Sequence, residues 1–341
     1  PVRMWRPADG FACGVCVAHA VSLEDGYLSQ SCVRQFETLA RMGANWTSLS
    51  PFGYLPSSRT PQIEPSADGG ADEESDEAVA EAAARAHALG LRVMLAPHLW
   101  TRGWTGALEF GAAGWPRFFE QYRGFLLHYA VLAQREGIDA LVVGHELTSA
   151  SLGHPDRWRA LIGEVRRVYS GTVTYSANWD REVDGITFWD ACDLIGVSFY
   201  YPLASKPGAS RQEMTAAAER ALGNLAALSR RTGRPVLLTE AGYPAAPGAA
   251  IRPWEDQRGV APDQAAQRDC YQALFAALDA PDWLAGVFVW KWFSSGVSGE
   301  GSEASYSPQG RSAETELARA FAGWRGRPVR PPRAAISSPA R

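Results

Sequence analysis

Membrane-length apolar runs, basic stripes, a complete set of cysteine pairs and the common cofactor fingerprints are all missing from this 341-residue chain. Each absence removes a class of function. No segment reaches the roughly 18 uninterrupted apolar residues that a membrane-spanning helix needs. The nearest, residues 124–133, contains His128 and is flanked by Arg123 and Gln134, which suits a buried helix. Charges of both signs are mixed along the chain to a net −4, with no basic stripe outside the C-terminal tail, so a nucleic-acid partner is not expected. Five cysteines cannot all pair. Cys13 and Cys16 sit three apart in a strand-like run and would point to opposite faces, which argues against a redox or metal pair and for buried small hydrophobes. The odd thiol count leans the expected compartment toward the cytoplasm. The chain opens on Pro1 without a Met or an apolar leader, as a trimmed or processed product would.

Motifs for metal and phosphate chemistry are missing too. The six histidines lack His-x-x-x-His and His-Glu-x-x-His spacing, and neither a Gly-x-Ser-x-Gly elbow nor a Walker loop occurs. The acidic stretch from Asp68 to Glu77 misses the spacing of a calcium loop; it reads instead as negative charge entering a helix N-terminus. No metal and no cofactor are expected.

What the chain does have is alternation. Eight β-rich runs cover 11–18, 44–52, 92–99, 139–146, 172–178, 194–200, 235–241 and 286–292. Helical patterns lie between them at 28–42, 75–89, 115–136, 155–169, 211–232 and 262–278, with a weak turn at 187–192 after the fifth strand. Gly43, Gly90, Gly137 and Gly233 follow helices where a left-handed C-terminal residue is wanted. Strands alternating with helices imply a parallel sheet. Eight such units, without a Gly-x-Gly-x-x-Gly turn after the first strand, predict an α/β single-domain (β/α)8 TIM barrel rather than an open sheet. The expected layout is a lead-in over 1–10, the barrel over 11–323 and a disordered Pro/Arg-rich tail over 324–341.

In a barrel, chemistry gathers at the C-terminal ends of the strands. Two strand-like runs there end in a carboxylate: Leu141-Val-Val-Gly-His-Glu146 on the fourth and Val236-Leu-Leu-Thr-Glu240 on the seventh. Two carboxyls facing one pocket are what glycoside cleavage with retention requires, one as nucleophile and one as proton donor. The aromatic content, 13 Trp, 11 Tyr and 13 Phe, fits that reading, because many of these residues fall just after strand runs where sugars could stack.

Longer strings carry a resemblance. Ala96-Pro-His98-Leu, Gly144-His-Glu146-Leu, Tyr175-Ser-Ala-Asn178-Trp179, Phe188-Trp189-Asp190, Thr239-Glu240-Ala-Gly-Tyr243 and Pro253-Trp254 resemble glycoside hydrolase family 113, a β-mannan-active family of clan A, over roughly residues 10–293. The resemblance implies Glu146 as acid/base and Glu240 as nucleophile, with Tyr200 rather than its neighbour Tyr201 bonding the nucleophile. It implies Trp290 as the floor under the sugar at the cleaved bond, and His98 and Asn178 on that sugar's hydroxyls. His145 departs from the pattern, since the clan normally places Asn before the acid/base as donor to the sugar 2-hydroxyl. Trp100, Trp104, Trp179, Trp254 and Trp292 are expected to line the cleft from its loops.

The expected partner is a β-linked oligosaccharide or polysaccharide, a β-mannoside first. The alternatives are a glucan, galactan or amino-sugar glycan, or a barrel that binds carbohydrate without cleaving it. The segments 53–75 and 294–310 are the expected cleft walls.

Overall fold

A computed structural model of the chain describes residues 2–18, 26–64, 75–255, 257, 259–279, 281–296 and 304–330. In chain order the strands are β1 (Ala12–Ala18), β2 (Trp46–Leu49), β3 (Phe52–Tyr54), β4 (Arg92–Leu95), β5 (His98–Trp100), β6 (Ala140–His145), β7 (Thr172–Asn178), β8 (Leu194–Phe199), β9 (Val236–Ala241) and β10 (Leu284–Phe293). The helices are α1 (Gln30–Arg41), α2 (Asp76–Ala88), α3 (Gly114–Glu136), α4 (Thr148–Gly153), α5 (Pro155–Val168), α6 (Arg181–Gly185), α7 (Arg211–Thr232), α8 (Gln264–Leu278) and α9 (Ser312–Trp324). The order β1-β10-β9-β8-β7-β6-β4-β2 closes into one barrel, and every pairing in it is parallel. This is the expected single-domain (β/α)8 TIM barrel, with β6 as its fourth strand and β9 as its seventh.

Helix ends follow from local chemistry. Ser29, Ser75 and Ser210 accept backbone N–H groups at the starts of α1, α2 and α7. Gly43, Gly90, Gly137 and Gly233 all have positive φ, as a left-handed stop requires. Asp76 and Glu77 occupy the first turn of α2, where acidic charge is favoured. The rest of that acidic stretch, 68–74, lies outside the described residues, as do 65–67 and 297–303 of the expected walls.

The structure corrects the sequence reading at two strands and bears out the weak turn at 187–192. The second and third strand runs each break, at Pro51 and Pro97, because proline has no N–H to donate to the ladder. Beyond the breaks, β3 and β5 pair only with each other, Phe52 opposite His98 and Tyr54 opposite Trp100, in a small sheet above the barrel. The weak turn after the fifth strand is the 3₁₀ turn Trp189–Ala191, preceded by α6.

The tail is also not free from Trp324 onward. The Trp324 ring packs 5.2 Å from Phe11 and 5.4 Å from Phe275, and its Nε1 donates to Asp279 Oδ1 at 2.6 Å. Arg327 lies 4.6 Å over the Phe11 ring and donates to Leu278 O, while its own carbonyl accepts from Phe11 N. A buried indole and a cation over an aromatic face hold residues 324–330 against the base of the barrel. Residues 331–341 lie outside the described residues.

All five cysteines are free and buried. Cys16 points into the barrel, 3.6 Å from Thr239 O. Among the described residues, no helix is long and apolar enough to cross a membrane.

Candidate active site

The C-terminal mouth of the barrel holds a cavity of about 580 Å³, and both glutamates line it. Two glycines allow close packing beside them. A Cβ at Gly144, two residues before Glu146, would meet Tyr175 at 2.6 Å and Trp158 at 2.7 Å. A Cβ at Gly242, two residues after Glu240, would meet Trp290 O at 2.2 Å. Neither position tolerates a side chain without moving the strand end that carries a carboxylate.

Glu240 sits in β9 and is buried, at 6% exposure. Buried carboxylates are costly unless bonded, and here both oxygens are engaged. Tyr200 OH donates to Oε2 at 3.0 Å, and His145 Nε2 lies 2.8 Å from Oε1. Tyr200, not Tyr201, makes this contact; Tyr201 packs beside Trp179 at 5.2 Å. Beneath them a hydroxyl ladder runs through the barrel, with Ser176 Oγ 2.6 Å from Thr239 Oγ1 and 3.1 Å from Ser198 Oγ. Ser198 Oγ also lies 3.4 Å from His145 Nε2.

Glu146 contrasts with this. It is half-buried at the end of β6, and Trp104 Nε1 donates to its Oε2 at 3.0 Å. Its backbone is the only described non-glycine with positive φ, at 49°, a conformation that carries strain in an L residue.

The two histidines stack, with ring centroids 4.0 Å apart and planes 31° apart, yet they carry different charges. Burial lowers the His145 pKa, but the Glu240 charge and hydrogen bond, together with Glu146 and Glu182, outweigh it and lift the value to about 9. Burial, and then the charge on His145, push His98 well below the usual histidine range. So one imidazolium faces Glu240 beside one neutral ring. His98 Nε2 is buried without a hydrogen bond, 3.7 Å from Glu240 Oε1. Ligand-type atoms of His98, His145 and Glu240 lie within 4.8 Å of one another, a donor set suited by type to a borderline metal. In this state the His145–Glu240 hydrogen bond uses two of those atoms.

The raised His145 pKa gives a stability prediction. A group raised from 6.5 to about 9 on folding contributes stability that is complete below pH 6.5 and lost as pH rises through 9. The advantage of the wild type over His145→Asn, read from thermal melts, should shrink across that window by on the order of 2–3 kcal/mol. A stability difference that grows with pH would contradict the charge assignment.

Phe52, Asn178, Trp179, Asp180, Trp254, Trp290 and Tyr306 complete the wall of the cavity. Trp290 is half-buried, 6.1 Å from His98, at the cis Trp290–Lys291 peptide. Trp179 and Trp254 stack at 5.2 Å with planes 29° apart. His98 is not the end of a barrel strand; it begins β5, held by its N–H to Pro51 O. Trp292 does not line the cleft. The register shifts opposite Cys16 and Val17, which pair with Trp290 and Trp292, so alternation breaks there. Trp292 is 1% exposed and donates from Nε1 to Gln35 Oε1 of α1 at 2.9 Å. Trp100, half exposed at the end of β5, pairs with Tyr54 outside the cavity.

Sequence reasoning missed Phe52, Asp180, Tyr306 and, behind the wall, Glu182. Phe52 was placed inside a strand run, and Tyr306 lies beyond the last strand. Asp180 immediately follows Asn178-Trp179, and that position beside a strand end was its available signal.

Comparison with known proteins agrees with this fold. No curated protein matches the chain. Among solved structures it is similar to a family 113 β-mannanase from Alicyclobacillus acidocaldarius in complex with ManMIm. The two share 29% identity and a TM-score of 0.79, over 92% of this chain and 98% of that one. A family 113 β-1,4-mannanase complex matches at 24% identity and TM-score 0.78, over 92% of this chain and 99% of that one. A glycoside hydrolase family 5 enzyme variant from Bifidobacterium longum, in complex with Manβ1-4GlcNAc, shares the fold at 15% identity and TM-score 0.61, over 94% and 80%. The model of Glycoside Hydrolase Family 113 matches residues 19–308. The chain belongs to that family and is a glycoside hydrolase.

Proposed function

We propose that this enzyme hydrolyses β-linked mannosides with net retention, Glu240 acting as nucleophile and Glu146 as acid/base. The observation that carries the reading is the asymmetry of the pair. Glu240 is buried with donors on both oxygens, whereas Glu146 stands at the cleft under a single indole N–H. A nucleophile needs a fixed direction of attack; an acid/base needs access to leaving group and water.

In this mechanism a Glu240 oxygen attacks the anomeric carbon, and the bond to the leaving oxygen breaks as Glu146 gives that oxygen its proton. Water then attacks the glycosyl ester while Glu146 takes its proton, releasing Glu240 and a sugar of unchanged configuration. Tyr200 and His145 orient Glu240, and Trp290 offers the face on which that sugar stacks. His98 and Asn178 line the cavity as donors or acceptors for its hydroxyls. Trp104, Trp179 and Trp254 extend the apolar surface along the cleft, which supports a substrate of several sugars. A mannoside is supported by the likeness to family 113 β-mannanases. Because His145 spends Nε2 on Glu240, recognition at the 2-position falls to other groups than in the clan pattern, and the sugar needs direct testing.

The test is proton NMR of the first reducing ends released from β-1,4-manno-oligosaccharides, with β-glucan, β-galactan and amino-sugar glycans alongside. The β-anomer should appear first from the mannosides, with the α-anomer following by mutarotation. Immediate formation of the α-anomer would overturn the two-step mechanism. Turnover only on another glycan would move the substrate and leave the mechanism standing.

A further inference from the structure

Behind the cleft, Glu182 on α6 is a fully buried carboxyl whose hydrogen-bond partners among the described residues are all neutral. Four neutral groups donate to it: Ser151 Oγ at 2.5 Å, Tyr175 OH at 2.6 Å, Asn178 N at 2.7 Å and Thr148 Oγ1 at 3.1 Å. A buried carboxyl satisfied this way is expensive to keep, and four converging donors hold their own segments in one arrangement.

Those segments meet at Glu146. Thr148 and Ser151 belong to α4, the helix that starts two residues after it. Tyr175 OH, while donating to Glu182, accepts the N–H of Leu147, the peptide immediately following Glu146. Asn178 ends β7, and Ser176 O of that strand accepts the N–H of Glu146 itself. The left-handed backbone of Glu146, at φ 49°, is a conformation that persists only where the surroundings over-determine it. Burial raises the Glu182 pKa, its donors from Ser151, Tyr175 and Asn178 lower it, and the charge on Glu146 raises it, so the two carboxyls sense each other.

We propose that Glu182 is a positioning residue for the reaction. Its carboxyl clamps β7 and the N-terminal part of α4 around the Glu146 elbow, and through Tyr175 it fixes the Leu147 peptide that aims the proton donor. The inference rests on Glu146 serving as acid/base, but not on which sugar is cleaved.

Leaving-group dependence separates aim from general support. Aryl glycosides with 2,4-dinitrophenolate leave with little proton donation, whereas unactivated phenyl glycosides and oligosaccharides need it. Glu182→Gln and Tyr175→Phe should lower kcat/KM about 10- to 100-fold on unactivated substrates. The same variants should stay within about threefold of wild type on the dinitrophenyl glycoside. Equal losses on both substrates, or no loss on either, would overturn the proposal. Tyr175→Phe keeps the ring packed on Trp158 and Phe188, so it carries the test should Glu182→Gln fold poorly. Each comparison is a ratio within one glycone and can use any β-glycoside the wild type cleaves. Wild type inactive on mannosides but active on another glycoside fails the substrate reading alone. A Glu146→Ala variant with no leaving-group dependence overturns the acid/base role, and with it this inference.

Discussion

Glu240→Ala should abolish measurable hydrolysis, with kcat/KM falling about 10⁴-fold or more, while the barrel still folds. The magnitude follows from what is removed. In the proposed mechanism no glycosyl ester can form without the carboxylate, and direct attack by water must proceed through a cavity shaped for a different nucleophile. The stability cost is smaller. Tyr200 OH loses its acceptor and the His145 imidazolium loses the oxygen 2.8 Å away, a loss on the order of 3 kcal/mol. A 341-residue protein with one continuous core should absorb that, and a melting curve run beside the rates checks it. Azide adds a stereochemical readout. An anion entering the space left by Glu240 attacks from that face, so an activated β-glycoside should give the α-glycosyl azide. A variant that folds and keeps the wild-type rate would eliminate Glu240 as nucleophile.

Both carboxylates were legible in sequence because barrel geometry turns the rank of a strand into a place on the rim. Glu146 and Glu240 end runs whose apolar character leaves a charge no structural use, and the alternation of strand and helix ranks those runs fourth and seventh. Tyr200 was legible for the same reason, one residue past the end of β8. The breaks at Pro51 and Pro97 were signalled by the prolines themselves. What could not be read was that the two freed segments would pair with each other and raise Phe52 and His98 together over the mouth.

Where one residue of register decides a direction, sequence parity misleads. Trp290 and Trp292 share a face in any regular strand, yet the shift opposite Cys16 and Val17 sends one to the cavity and the other to Gln35. Glu182 was hidden for a deeper reason. In sequence it is one acidic residue in a short polar segment, and its importance arises only when four donors from two segments, α4 and β7, converge on it. His145 lies between these cases. Its departure from the clan pattern is visible in sequence, but its charge depends on how closely β6 brings it to Glu240.

Glu146→Ala should divide the reaction into its two halves. With an unactivated leaving group, kcat/KM should fall about 10²- to 10⁴-fold, the range a general acid contributes. With a dinitrophenyl glycoside, kcat/KM should hardly change, because glycosylation no longer needs the proton. Yet kcat should still fall, since the glycosyl ester accumulates without a base to activate water. Azide needs no base, so it should restore kcat and yield the β-glycosyl azide, the opposite anomer to that from the Glu240 variant. The backbone offers an independent check. Alanine inherits the left-handed φ of 49°, whereas glycine adopts it freely. Glu146→Gly should therefore melt no lower than Glu146→Ala, with glycine favoured by up to about 1 kcal/mol once its unfolded-state entropy is counted against the relief of strain. If azide failed to accelerate either variant, the lost activity would belong to a collapsed elbow and not to a missing proton. If it accelerated alanine but not glycine, the left-handed turn itself would be what keeps the ester within reach of an external nucleophile.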